Sequence, residues 1–311
     1  MAMIEVRNLT KRFKRVEALK HINFAIEPGD IYGYIGPNGA GKTTTIKVLA
    51  TLLLPTSGEA FIDGIDVVHN PMQVRKIIGY MPDFFGVYDE MKSWEYLDFF
   101  AACYRIPKHK RVGIIDDVLE LTDLSTKKDA FVHELSRGMK QRLCLARCLV
   151  HDPKVLLLDE PASGLDPRAR IELRELLKEL GRMGKTILVS SHILTELADF
   201  CNTVGIIEAG EMILTGRIEE ILRQIKGHRV LEIKVTDREE QAKEILLAQE
   251  KVTDVQIAGP KFLRVMFTGE TDDIPDLMDK LKEAGIRVVA FSEEETDLED
   301  LFMRVTKGIV T

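Results

Sequence analysis

The run Gly36-Pro37-Asn38-Gly39-Ala40-Gly41-Lys42-Thr43, with Thr44 behind it, has the residue types and spacing of a phosphate-binding loop, G-x-x-x-x-G-K-S/T. Its glycines let the backbone curl so that successive N–H groups face phosphate oxygens, and a helix opening behind the loop adds partial positive charge. Lys42 then reaches the β- and γ-phosphates, and the Thr43 hydroxyl can bind Mg²⁺. Far along the chain, the apolar run Val155–Leu158 ends in Asp159 and Glu160. Asp159 is suited to hold Mg²⁺, directly or through water, and Glu160 to orient and deprotonate an attacking water. These residues predict a site that binds and hydrolyses a nucleoside triphosphate.

Such residues need a scaffold that brings them together. The loop follows the apolar stretch Ile31–Ile35 and precedes a helix-like stretch over 43–53, the strand–loop–helix context that the motif requires. Strand-like runs at 4–6, 31–35, 78–81, 155–158, 186–190 and 204–207 alternate with helix-like segments. The alternation predicts an α/β fold with a mostly parallel central sheet, whose carboxyl ends gather the ligand. Between Arg75 and Arg147 the pattern is largely helical, a lobe of about residues 83–150 inserted into that core. After Ile225 the character changes. Strands at 229–235, 252–257, 262–267 and 286–291 and helices at 238–249 and 272–284 follow in the order β-α-β-β-α-β. That is the ferredoxin-like α+β arrangement, with a turn at Gly259-Pro260 and an added helix at 298–305. The expected domains are therefore 1–225 and 226–311.

Composition narrows the setting. The 311 residues suffice for one large or two smaller cores, and a net charge of −7 argues against a general nucleic-acid binder. The densest cationic stretch, Lys11, Arg12, Lys14 and Arg15, reads as a solvated hairpin surface. Cys103, Cys144, Cys148 and Cys201 form no C-x-x-C pair and read as buried, reduced thiols of a cytosolic protein. Residues 1–6 lack an apolar secretory core, and no window approaches eighteen uninterrupted apolar residues. Any work on a membrane then needs a second polypeptide to supply the span.

Leu135-Ser136-Arg137-Gly138-Met139 precedes a helix-like stretch at 140–150 and lies with its serine 23 residues before Asp159. A serine hydroxyl with the N–H groups of a helix start forms a second anion site. Taken with the loop and the Asp159-Glu160-Pro161 run, this resembles the ATP-binding cassette ATPases. Their signature, L-S-G-G-Q, stands before an apolar strand ending in D-E-P. Ser136 and Gly138 match the signature, while Arg137 and Met139 depart from it.

The resemblance implies a P-loop NTPase core over residues 3–225 and a role for each matching position. Residues 136–139 would be the signature that faces a partner's ATP, with Ser136 and Gly138 touching its γ-phosphate, and Asp166 would be the D-loop aspartate. His192, after Ser190-Ser191, would contact the γ-phosphate and help fix the water, with Lys42 and Glu160 completing the catalytic set. Phe13, 23 residues before Gly36, would stack on adenine, for which any flat ring serves. The family's glutamine loop carries Asp83 here, which is shorter, charged and without an amide donor, and the implied metal ligands are Thr43, Asp159 and Asp83.

At the level of assembly, the resemblance implies two copies paired head to tail over shared ATP, working on an integral membrane permease at the inner face of the cell membrane. Nine of the chain's twenty aromatics lie between Tyr80 and Tyr104, among them Phe84 and Phe85. Trp94, Leu97 and Phe100 at helical spacing are expected to face the core, and the surplus to meet the permease. The run 81–86 and the ending 297–302 resemble the separate-subunit drug and antibiotic exporter branch. An importer ATPase, or a soluble cassette in translation or DNA repair, is the competing reading. The paired cassettes of the first soluble class and the long coiled coils of the second are missing from this sequence. Glu160 and His192 argue against a binding module without turnover.

Overall fold

The computed structural model describes residues 2–84, 86, 88–193, 197, 199–218, 220–221, 229–269 and 271–294. Phe85, the expected boundary at 225–226, the helix at 298–305 and the ending at 297–302 lie outside the described residues. The chain divides into two units, Met1–Ile218 and Glu219–Thr311.

The first unit is built on a six-stranded sheet in the order β10-β9-β3-β8-β7-β6. Strands β3 (Ile31–Ile35), β6 (Ile78–Met81), β7 (Val155–Leu158), β8 (Thr186–Ser191) and β9 (Thr203–Glu208) run parallel, and β10 (Glu211–Arg217) closes the edge antiparallel to β9. The residues of β3, β7, β8 and β9 are buried throughout, as expected for a parallel sheet covered on both faces. Every β-run read for this sheet is found.

A second, antiparallel sheet, β2-β1-β4-β5, was legible only at its first residues. Its β1 (Ile4–Phe13) and β2 (Val16–Ile26) form a long hairpin, joined by β4 (Ser57–Ile62) and β5 (Ile65–Asp66). Inward residues Ile4, Val6, Leu9, Leu19, Ile22 and Ile26 pack on α1 (Lys42–Leu49) and on Tyr34 of β3. The exposed hairpin end carries Lys14 and Arg15, the solvated surface expected there. Helix α1 stops at Leu49 rather than at 53, where Ala50 caps it and the chain turns through Thr51 at φ 61.

The helical lobe contains α3 (Ser93–Cys103), α4 (Lys108–Leu121) and α5 (Arg137–Leu149), entered through α2 (Pro71–Ile77) and β6. Leu97 faces inward on α3 as expected, together with Ser93, Tyr96 and Ala101, whereas Trp94 and Phe100 are only half-buried. Tyr96 takes the deep position because its hydroxyl finds Arg147 (3.4 Å) and its ring meets Phe100 edge-on. The surplus of aromatics is exposed: Phe84 is 89% accessible, and Tyr88, Phe99 and Tyr104 also face outward. Cys144, Cys148 and Cys201 are buried thiols, but Cys103 is exposed at the end of α3, where the chain leaves the lobe's core. After α5 and β7 comes α6 (Pro167–Arg182).

The second unit carries a four-stranded antiparallel sheet in the order β12-β13-β11-β14. These are β11 (Arg229–Val235), β12 (Val252–Gly259), β13 (Phe262–Phe267) and β14 (Val288–Glu294), with helices at Glu239–Leu247 and Ile274–Glu283. Chain order and spatial order together are those of the ferredoxin-like arrangement. Leu231, Ile233, Val265 and Phe267 pack on Leu246, Leu277 and Leu281 of the helices. The hairpin turn falls at Pro260-Lys261 rather than at Gly259-Pro260, with Lys261 at φ 64 and Gly259 still in its strand. Among the described residues no helix is long and apolar enough to cross a membrane.

Candidate active site

The parallel register determines what meets at the sheet's carboxyl edge. Ile35 pairs with Ser191 and Leu158 with Val189, so the loop after β3, the acids after β7 and the residues ending β8 emerge side by side. Helix α1 opens directly from the glycine loop. Gly41 is at φ 117, and a side chain there would lie 2.8 Å from the Ala18 carbonyl, so only glycine admits this turn. Tyr34 anchors the helix from below, its buried hydroxyl 3.1 Å from Thr45.

Lys42, 6% exposed, donates to the Gly36 carbonyl (2.6 Å) and to that of Pro37 (3.2 Å), and stands 3.3 Å from Glu160 Oε1. The other oxygen of Glu160 lies 2.9 Å from His192 Nδ1. With Glu160 ionised beside the ammonium, Nδ1 carries the hydrogen and Nε2 is left for another group. Lys42, Glu160 and His192, which lie in three separate stretches of the sequence, are in mutual contact through one carboxylate.

Ser190 fixes the geometry behind them. Its hydroxyl donates to Asp159 Oδ1 (2.8 Å) and accepts from the Glu160 N–H (3.0 Å). Glu160 sits at φ 50, a conformation costing a non-glycine residue roughly 1–2 kcal/mol, and the Ser190 contact holds it there. Asp159 is 1% exposed, and its Oδ2 has no hydrogen-bond partner among the described residues. Burial raises its pKa, against the hydroxyls of Ser190 and Thr43, while the Asp83 and Glu160 carboxylates push it further up. A buried carboxylate with an orphaned oxygen beside a threonine hydroxyl suits a hard divalent cation. Asp83 is exposed at the end of β6, close enough to act on Asp159 through its charge. Phe13 ends β1, 43% exposed, with the Lys11 ammonium 5.0 Å from its ring.

The signature residues form a second group. Ser136 caps α5, accepting from the Met139 N–H (3.3 Å). Arg137 donates to the Ser163 carbonyl (3.0 Å), and buried Gln141, one turn on, donates to that of Pro161. Asp166 caps α6 by accepting from the Ala169 N–H (3.0 Å). Gln141 and the bridging role of Ser190 were missed from sequence. Serine at a strand end is too common to notice, and only the neighbouring strand's acids give it meaning.

The pattern of the ABC transporter family matches residues 19–163, and that of the C-terminal domain of DrrA1-3-like ATP-binding proteins matches residues 216–306. A Nod factor export ATP-binding protein I of Burkholderia lata is 34% identical over 313 residues, 98% of this chain and 97% of its own length. The chain belongs to the ABC transporter ATP-binding proteins. An uncharacterised member from Synechocystis is 32% identical over 303 residues, covering 96% of this chain and 81% of the relative. Among solved structures, a dimeric ATP-binding cassette in a post-hydrolysis state, bound to ADP and Pi, superposes with a TM-score of 0.63 at 27% identity. That match covers 70% of this chain and 99% of the cassette. As an ABC ATPase the chain binds ATP and hydrolyses it. Cassettes of this family dimerise and work with membrane permeases.

Proposed function

We propose that this ABC protein is the ATP-hydrolysing subunit of an exporter, energising a separate permease at the inner face of the cell membrane. Met1–Ile218 is its nucleotide-binding domain and Glu219–Thr311 an accessory domain, a boundary earlier than the expected 225–226. One observation carries the catalytic reading: Lys42, Glu160 and His192 converge at the carboxyl edge, with Asp159 held behind them by Ser190.

Gly36 to Thr44 cradle the phosphates, Lys42 binds their outer oxygens, and Phe13 receives the adenine face. Thr43 and Asp159 would hold Mg²⁺, with Asp83 nearby as a subsidiary oxygen donor. When bound, the ion neutralises charge on the β- and γ-phosphates. Glu160 takes the proton of the attacking water. His192, hydrogen-bonded to Glu160 through Nδ1, presents Nε2 toward the γ-phosphate. A second copy supplies residues 136–139 and Asp166 across a head-to-tail dimer, so that ATP joins the two copies and hydrolysis parts them.

The names of relatives, Nod factor export in one case and multidrug transport in another, support export over import. A groove of about 780 Å³ between α2 and the lobe supports the permease contact. Arg75, Lys76, Arg105 and Arg147 line it beside Phe100 and Tyr104, with no carboxylate among the described lining residues. It suits an amphipathic permease helix bearing an acidic side chain.

Substituting Glu160→Gln tests the reading. Phosphate release is expected to fall at least about 100-fold, with ATP still bound and the variant dimerising in Mg-ATP by light scattering. Wild-type phosphate release from the variant would remove Glu160 from the mechanism, and a persistent monomer would remove the shared-ATP dimer.

A further inference from the structure

Arg137 stands where the family's signature has its first glycine, and its side chain has a specific seat. The guanidinium donates to the Ser163 carbonyl (3.0 Å) and lies against Gly164. A methyl built on Gly164 would fall 2.3 Å from Arg137 Cζ, and this glycine is at φ 65, so the seat exists only because residue 164 has no side chain. Around it, the first turns of α5 and α6 touch. A methyl on Gly138 would lie 3.2 Å from the Ala169 Cβ, and Gln141 donates to the Pro161 carbonyl. A cation in the first turn of a helix opposes the helix dipole. The exposed guanidinium meets Ser163 and Gly164 by contacts that a glycine at 137 could not make.

The segment so gripped begins at Glu160. The Ser163 N–H bonds the Glu160 carbonyl (3.0 Å), and the Leu165 N–H that of Ala162 (3.2 Å), so residues 160–165 form linked turns. At one end of the grip is the helix start that meets the partner's nucleotide, and at the other the glutamate that serves the subunit's own.

We propose that Arg137 is a positioning residue that couples the two nucleotide sites of the dimer, setting Glu160 when the adjoining signature turn engages the partner's ATP. The proposal rests on the dimeric reading above. Without the guanidinium, occupancy of the signature no longer fixes the 160–165 turns, and the glutamate loses alignment without any change at the phosphate loop of its own subunit.

Full-length Arg137→Gly, which restores the family's glycine, tests this in steady-state ATPase assays. The expected result is a kcat lowered about 5- to 10-fold, with KM, affinity for a fluorescent ADP analogue and Tm unchanged. Arg137→Lys, which keeps a donor for the Ser163 carbonyl, is expected to recover much of the loss. Gly164→Ala, which fills the seat, should lower kcat as Arg137→Gly does, and the double variant should fall little below either single one. Wild-type kcat in Arg137→Gly, multiplicative losses in the double variant, or a loss that tracks a fallen Tm and that lysine does not repair would each overturn the proposal. The Glu160→Gln control in the same assay keeps the two readings apart, since its failure removes the base and leaves the Arg137 measurements to stand or fall alone.

Discussion

At the scale of single residues, the site depends on one hydroxyl. Ser190 has one hydrogen and it goes to Asp159, while its lone pair receives the Glu160 N–H. Alanine at this position would remove both contacts, leaving the Asp159 carboxylate without that donor and the strained backbone of Glu160 without its brace. The loss of hydrogen bonds to buried, charged groups is worth about 1.5–3 kcal/mol, so Ser190→Ala is expected to lower kcat about 10- to 100-fold with ATP affinity little changed. Steady-state kinetics beside a nucleotide titration would check it, and an unaltered kcat would show that Glu160 holds its pose unaided.

At the scale of elements, α5 and β6 are joined through His151, just beyond the helix. Its Nε2–H donates to the Ile78 carbonyl (2.8 Å), its ring stacks on Tyr104 at 3.7 Å, and its buried Nδ1 has no partner among the described residues. Burial lowers its pKa, against the Ile78 carbonyl and Asp152, which raise it. The unfolded chain therefore takes up a proton at the ordinary histidine value of 6.5 while the folded protein resists. Stability is undiminished above that value and falls as the pH drops below it, toward the lower folded pKa. Wild type is expected to lose more Tm between about pH 7 and 5.5 than a His151→Phe variant, which keeps the stack and has no proton to bind. Equal slopes in thermal melts would exclude His151 as the source.

Elements also differ in how far the sequence disclosed them. The buried strands were legible because unbroken apolar runs such as Val155–Leu158 admit little else. The phosphate loop and the acids after β7 were legible because their chemistry fixes residue type and spacing. Most of the β2-β1-β4-β5 sheet was not, since its strands are half-exposed, bulged and paired over long separations. The face of α3 was misjudged because Tyr96 goes inward to reach Arg147, a partner 51 positions away. The seat of Arg137 on Gly164 likewise needs two helix starts brought together in space.

At the scale of the molecule, the proposed permease groove is cationic, and its use is testable by sign. Lys76→Glu places a carboxylate among Arg75, Arg105 and Arg147. With the cognate permease in vesicles, transport is expected to collapse while the isolated subunit's ATPase stays within about twofold, as for other surface changes. Full transport would move the docking surface elsewhere, with exposed Phe84 the next residue to examine.

The division after Ile218 has its own consequence. All six strands of the hydrolytic sheet, and every side chain assigned to nucleotide or metal, lie before that seam. The ferredoxin-like unit beyond it packs its own core from its own residues. A genetic crossover at this joint would exchange one self-contained core for another without cutting a strand of the sheet that carries the phosphate loop.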